Sequence, residues 1–120
     1  MNKTYDENNI FAKILRSEIP SKKILENEFA LAFSDINPQA PIHILIIPKN
    51  SYINFHDFTK NASNKEHESF WKLVNDVIEH YKVEKEGFRI ITNSGNNGNQ
   101  DVPHFHVHLL GGENLGRMIG

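Results

Sequence analysis

The sequence predicts one α+β domain built on an antiparallel sheet. Two segments place apolar residues at helical spacing, a hairpin-like pair of strands lies between them, and a later segment alternates strictly. Helices mixed with hairpin-linked strands, instead of repeated β-α-β units, favour antiparallel pairing. A chain of 120 residues suits a single compact domain. We expect it to span residues 1–120, with residues 1–8 flexible and residues 113–120 a short tail.

Taken in order, Ile10, Phe11, Ile14 and Leu15 recur at helical spacing and Pro20 marks a stop, which predicts a short amphipathic helix. Residues 23–26 and 29–34 read as strands around a turn at Glu26, Asn27 and Glu28, with Phe29, Leu31 and Phe33 on one face. A loop stiffened by Pro38 and Pro41 feeds residues 42–47, an apolar run interrupted only by His43 and closed by Pro48. Such a run predicts a central strand buried on both faces.

Ser63-Asn64-Lys65-Glu66 has the form of a capping box, in which serine and glutamate satisfy orphan amides at a helix start. Phe70, Trp71, Val74, Val77, Ile78 and Tyr81 follow as one apolar stripe, a core-packing pattern for the longest helix. Residues 88–93 predict a strand, residues 94–101 a loop rich in glycine and side-chain amides, and residues 103–110 the last strand, stopped by Gly111 and Gly112.

Composition excludes several functions. The formal net charge of −2 offers no bulk basic field, so neither nucleic acid nor an anionic membrane is expected as a partner. Without cysteine there is no disulfide framework, zinc ribbon or thiol nucleophile. The polar first residues lack a signal core and no apolar run is long enough to span a bilayer, so a cytoplasmic location is expected.

Chemistry concentrates in His104-Phe105-His106-Val107-His108-Leu109. Period-two alternation on a strand sends Phe105, Val107 and Leu109 to one face and three imidazoles to the other. Imidazoles so close cannot all ionise, so at least one stays neutral near pH 7 and keeps a lone pair. That lone pair can attack phosphorus and later leave, splitting one hard displacement into two easier ones, while its neighbours hold a tautomer or donate to phosphate oxygens. Gly95 and Gly98 would let the preceding loop bring backbone donors close to a phosphate. Zinc is the rival ligand. Paired histidines at i and i+2 suit it, but His104 and His108 stand about 13 Å apart along an extended backbone, too far for the full trio without strong inward lean. His56, His67 and His80 read as ordinary surface or core residues.

The segment His104-Phe105-His106-Val107-His108-Leu109-Leu110 resembles the signature of the histidine-triad (HIT) family, in its branch of nucleotide-binding phosphoramidases. Asn9-Ile10-Phe11 with Ile19-Pro20, residues 32–36, residues 38–41 with His43, Ile47-Pro48-Lys49 and Asn93-Ser94-Gly95 are also similar to family landmarks, so the likeness runs from about residue 9 to 112.

That resemblance implies a HIT-like fold: a five-stranded antiparallel sheet with two helices, joined across a homodimer into one larger sheet. It implies a purine nucleotide (AMP- or GMP-like) as substrate or product, hydrolysis at the α-phosphorus of phosphoramidates or related conjugates, and no metal or other cofactor. By position, His106 would be the nucleophile, with His104 and His43 supporting its tautomer and His108 donating to phosphate or leaving group. Asp35 would hold the ribose hydroxyls, and Ile10, Phe11, Ile14, Phe33 and Ile36 the base. Asn93, Gln100, Asp101 and the backbone near Val102 would lie at the phosphate.

Asp101 departs from the branch, which commonly carries a hydroxyl there. A carboxylate only accepts hydrogen bonds and repels phosphate, so altered leaving-group assistance or a side chain turned away is expected. Asn99 stands where a glycine is common, which a left-handed turn tolerates. A dinucleoside polyphosphate hydrolase, a nucleotide-binding interaction module with weak catalysis, and a zinc protein stay open as alternatives.

Overall fold

The computed structural model describes residues 4–119. Any mobility of residues 1–3 lies outside the described residues. Its elements are α1 (Ile10–Leu15), β1 (Lys23–Glu26), β2 (Ala30–Ser34), β3 (Ile42–Pro48), α2 (Phe55–Asn61), α3 (Asn64–Tyr81), β4 (Phe88–Ile91) and β5 (Val107–Gly111). The strands form one sheet in the order β1-β2-β3-β5-β4, antiparallel throughout. β3 is the central strand, as its unbroken apolar run predicts.

Each sheet face has its own core. Ala30, Ala32, Ile44, Ile46, Val107 and Leu109 point to the α3 side, where Phe70, Leu73, Val74, Val77 and Ile78 meet them. Leu31, Phe33, Leu45 and Ile47 point the other way, against Phe11 and Ile14 of α1. His43 lies two residues from Leu45, and His108 pairs directly with Leu45, so both histidines belong to the α1 face.

Helix α3 starts with the expected capping box: Ser63 accepts from the Glu66 amide and Glu66 accepts from the Ser63 amide. One position of its stripe shifts. Leu73 is buried, while Trp71 is 39% exposed on the flank, its ring edge against Phe70. The expected pair of helices, α1 and α3, is joined by a third. α2 is capped by Asn54 and buries only Phe58, which stacks on Phe105 and contacts Phe70. Its only large apolar residues are Phe55 and Phe58, too few to mark a stripe, so the sequence carries little sign of it.

The last strand is shorter than predicted. β5 begins at Val107, not Pro103, and β4 ends at Ile91. Continuing the register that pairs Ile46 with Val107 would set Phe105 opposite Pro48, which has no N–H to give the ladder. The Phe105 amide instead donates to the Tyr52 carbonyl, and the His104 amide to the Val102 carbonyl. Beyond β5, Gly112 has φ +92°, and a side chain there would meet the Pro41 ring at 2.9 Å. No helix among the described residues is long and apolar enough to cross a membrane.

Candidate active site

The three histidines keep to the α1 side even though only His108 lies within β5. The ring of Phe11 stands edge-on to both His104 and His106, and the rings of His106 and His108 lie 5.1 Å apart. They are not equivalent. His104 has no exposed surface at all, so it cannot touch a substrate. His106 sits between His104 and His108, and His43 packs against His108 from β3.

Backbone groups assign every tautomer. The Nδ1 of His106 lies 2.7 Å from the His104 carbonyl, which can only accept, so Nδ1 carries the proton and Nε2 the lone pair. The Nε2 of His104 lies 2.8 Å from the Pro48 carbonyl and must donate, leaving Nδ1 to accept from the Tyr5 hydroxyl. The Gln39 amide donates to Nδ1 of His43, so neutral His43 carries its proton on Nε2. That proton is offered to Nδ1 of His108, 2.9 Å away, and His108 is left as an Nε2–H donor. One neutral nucleophilic nitrogen and one N–H donor result, side by side.

Burial keeps these rings uncharged. Desolvation pulls His104 and His108 down to about 4 and lowers His106 and His43 below the ordinary imidazole value of 6.5. Nearby carboxylates oppose the shift at His106 without reversing it. Asp35 reaches within 3.4 Å of His43 Nε2 through Oδ2 and accepts from the Asn37 amide through Oδ1. Asp101 is not turned away: its Oδ1 lies 4.0 Å from His106 Nε2, on a side chain 84% exposed.

Asp35, His43 and His108 bring three ligand-type atoms within 4.8 Å of one another, enough to consider a divalent cation. A metal on Nε2 of His43 would force the proton onto Nδ1, against the Gln39 N–H that donates there. The donor set fits a hydrogen-bond relay and does not fit a metal.

The other expected contacts sort themselves by geometry. Phe11, Ile14 and Phe33 are buried in the α1-side core, whereas Ile10 is 40% exposed and Ile36 83% exposed. Val102 packs partly against the same cluster. The Thr92 hydroxyl donates to the His106 carbonyl, which brings the half-buried Asn93 beside the His106 segment. Gln100 is consumed within the loop: its amide nitrogen donates to the carbonyls of Ile53 and Val102, and its oxygen accepts from the Gly95 amide. Gly98 is needed by the turn itself, where a side chain would strike the Ser94 carbonyl at 2.6 Å, and Asn99 takes the left-handed conformation at φ +58°.

Sequence reasoning missed Tyr5, Thr92 and the carbonyl of Pro48. A lone tyrosine in a polar leading segment carries no periodic signal, and backbone carbonyls carry none. It also assigned His104 and His43 to the tautomer of His106. The His104 contribution comes from its carbonyl, while the His43 ring acts on His108. A groove away from the histidines lies between the end of α3, β4 and the tail, where Arg89 holds the carbonyls of Gly116 and Arg117.

The HIT domain profile matches residues 16–115, most of the chain. This chain belongs to the HIT family. It is 51% identical over 119 residues to an uncharacterized 13.2 kDa HIT-like protein of Azospirillum brasilense, covering 99% of this chain and 98% of that protein. It is 41% identical over 117 residues to the purine nucleoside phosphoramidase of Escherichia coli K12, covering 94% of each. Among solved structures, a HIT family hydrolase from Clostridium thermocellum superposes with a TM-score of 0.80 at 40% identity, over 94% of this chain and 97% of that one. The HIT fold and the likeness to HIT hydrolases agree with the triad's arrangement.

Proposed function

We propose that this HIT chain hydrolyses purine nucleoside phosphoramidates, or related nucleotidyl conjugates, at the α-phosphorus through a covalent intermediate on His106. The observation that carries the reading is the hydrogen bond from His106 Nδ1 to the His104 carbonyl, because it leaves the lone pair on Nε2, the nitrogen nearer the exposed Asp101. The 41% sequence identity to a protein named purine nucleoside phosphoramidase supports the choice of substrate.

In the first step Nε2 attacks phosphorus in line. The P–N bond breaks, and its electron pair stays with the departing nitrogen, which takes a proton from solvent. In the second, water attacks phosphorus, the P–Nε2 bond breaks with its pair returning to the ring, and the water gives up a proton to solvent. The products are a nucleoside monophosphate and an amine. His108 Nε2–H donates to a phosphate oxygen on which charge builds, Asp35 holds the ribose hydroxyls, Ile10 and Ile36 cover the base, and Asn93 and the Val102 backbone border the phosphate.

The test is hydrolysis of adenosine 5′-phosphoramidate by the native protein and by His106→Ala. Loss of at least about 10³-fold, with nucleotidylated His106 trapped by acid quench of the native protein, is expected. Equal rates would remove the assignment. The Asp101 carboxylate beside the nucleophile favours a second reading, a nucleotide-binding module with weak catalysis. Tight AMP binding without turnover of any leaving group would establish that reading instead.

A second copy of this chain is proposed as partner. β4 is an edge strand whose Phe88 and Ile90 are exposed, and an apolar edge with open ladder groups is a ready template for pairing. A monomeric mass by light scattering at micromolar concentration would count against the dimer.

A further inference from the structure

We propose that Asp101 selects the leaving group by charge, favouring nucleotidyl amines whose departing amine carries a further ammonium and disfavouring polyphosphate leaving groups. This rests on the reading of His106 as the phosphorus-directed nucleophile and names the substrate class within it.

The Asp101 carboxylate is 4.0 Å from the nucleophilic nitrogen, and the Asp35 carboxylate is 3.4 Å from His43, which is bonded to His108. The charged side chains that act on His106 are these two carboxylates, and the same two act on His108 beside its histidine neighbours. Among the described residues neither a lysine nor an arginine is one of them. The described side chains beside the two rings therefore present the phosphorus with a negative field.

The nucleotide's own phosphate meets that field in every substrate, so it cancels when two substrates are compared. What remains is the charge on the leaving group. In-line attack from about 3 Å places the departing atom roughly 5 Å beyond His106 Nε2. A charge a few bonds further on stays within about one Debye length, about 8 Å at physiological salt, of a carboxylate beside that nitrogen. The direction in which the leaving group points changes the size of the effect but not its sign. Asp101 is exposed, so water screens it, and the preference is about two- to tenfold for each unit of leaving-group charge. A polyphosphate, with two or more negative charges, is disfavoured by the same field. Nucleotidyl amines are therefore better substrates than dinucleoside polyphosphates for a site with Asp101 beside the nucleophile.

The experiment compares kcat/KM for three substrates: the N-propyl and the N-(2-aminoethyl) phosphoramidates of AMP, which differ in one ammonium, and diadenosine tetraphosphate. Each is assayed with the native protein, Asp101→Asn and Asp101→Ser. The native protein should prefer the aminoethyl over the propyl compound two- to tenfold. That ratio should fall towards one in both variants, and in the native protein at about 0.5 M salt. Diadenosine tetraphosphate should be turned over faster, relative to the propyl compound, in Asp101→Asn than in the native protein. A ratio unchanged by the substitution and by salt would overturn the proposal while leaving the role of His106 intact. Should the native protein turn over none of the three, the reading of His106 falls. The affinities of aminoethyl and propyl esters of AMP for proteins with and without Asp101 then decide the charge preference, and equal affinities reject it.

Discussion

His106 donates from Nδ1 to the main-chain carbonyl of His104 over 2.7 Å, so a residue whose own ring is sealed from solvent decides which nitrogen of its neighbour is free to react. The same logic runs through the site. A peptide group sets each tautomer directly or through one intervening ring, and peptide groups do not titrate.

Long-range ¹⁵N–¹H NMR of the free protein near pH 7.5 should therefore show His106 as the Nδ1–H tautomer. His104, His43 and His108 should each appear as Nε2–H. An Nε2–H assignment for His106 would remove its lone pair from the reacting position and with it the proposed attack.

The acid limb of kcat/KM should lie below the ordinary histidine value of 6.5, because burial lowers the His106 affinity for a proton. Activity is expected to fall in more acidic buffer than an ordinary histidine would set. Asp101 opposes that lowering, so Asp101→Asn should carry the limb further to the acid side. A native limb centred at 6.5 or above would contradict the neutral, buried ring.

Acid should also unfold the protein through His104. Folded, this ring resists protonation until about pH 4, whereas unfolded it takes a proton near 6.5. Below 6.5 the unfolded chain therefore binds more protons, and stability falls with pH between 6.5 and about 4. The contribution is about 3 kcal/mol for His104 alone. Denaturant titrations at pH 7.5 and 4.5 should show this loss, reduced in His104→Gln; an equal loss in both proteins would place its origin elsewhere.

Tyr5→Phe removes the donor to His104 Nδ1 and leaves a buried acceptor without a partner. A cost of about 1–3 kcal/mol in unfolding free energy is expected. Because His104 carries the carbonyl that orients His106, kcat should fall severalfold with KM little changed. Unaltered stability and kcat would show that the Tyr5 hydroxyl matters to neither.

Much of this was legible in residue order. Alternation from Phe105 to Leu109 assigns the two faces because side chains on an extended chain switch sides at each step, and this held even where the segment left the sheet. Ser63 and Glu66 announced the start of α3 because a capping box is complete within four residues. Trp71 and Leu73 could not be ranked in the same way: both lie near the edge of one stripe, and the sheet beneath selects which is covered.

Local pattern thus settles which side chains share a face and where helices start, since those follow from backbone periods that a few neighbouring residues complete. It cannot settle which histidine meets solvent, which nitrogen is bare, or that Asp101 stands beside His106. Those depend on Pro48, Gln39, Tyr5 and the loop before β5, residues distant in the chain whose carbonyls, amides and hydroxyl come together only when β3 and β5 pair and α1 closes over them. Hydrogen bonds between such distant groups leave no periodic trace in a sequence, because folding, not spacing, sets the distance between them.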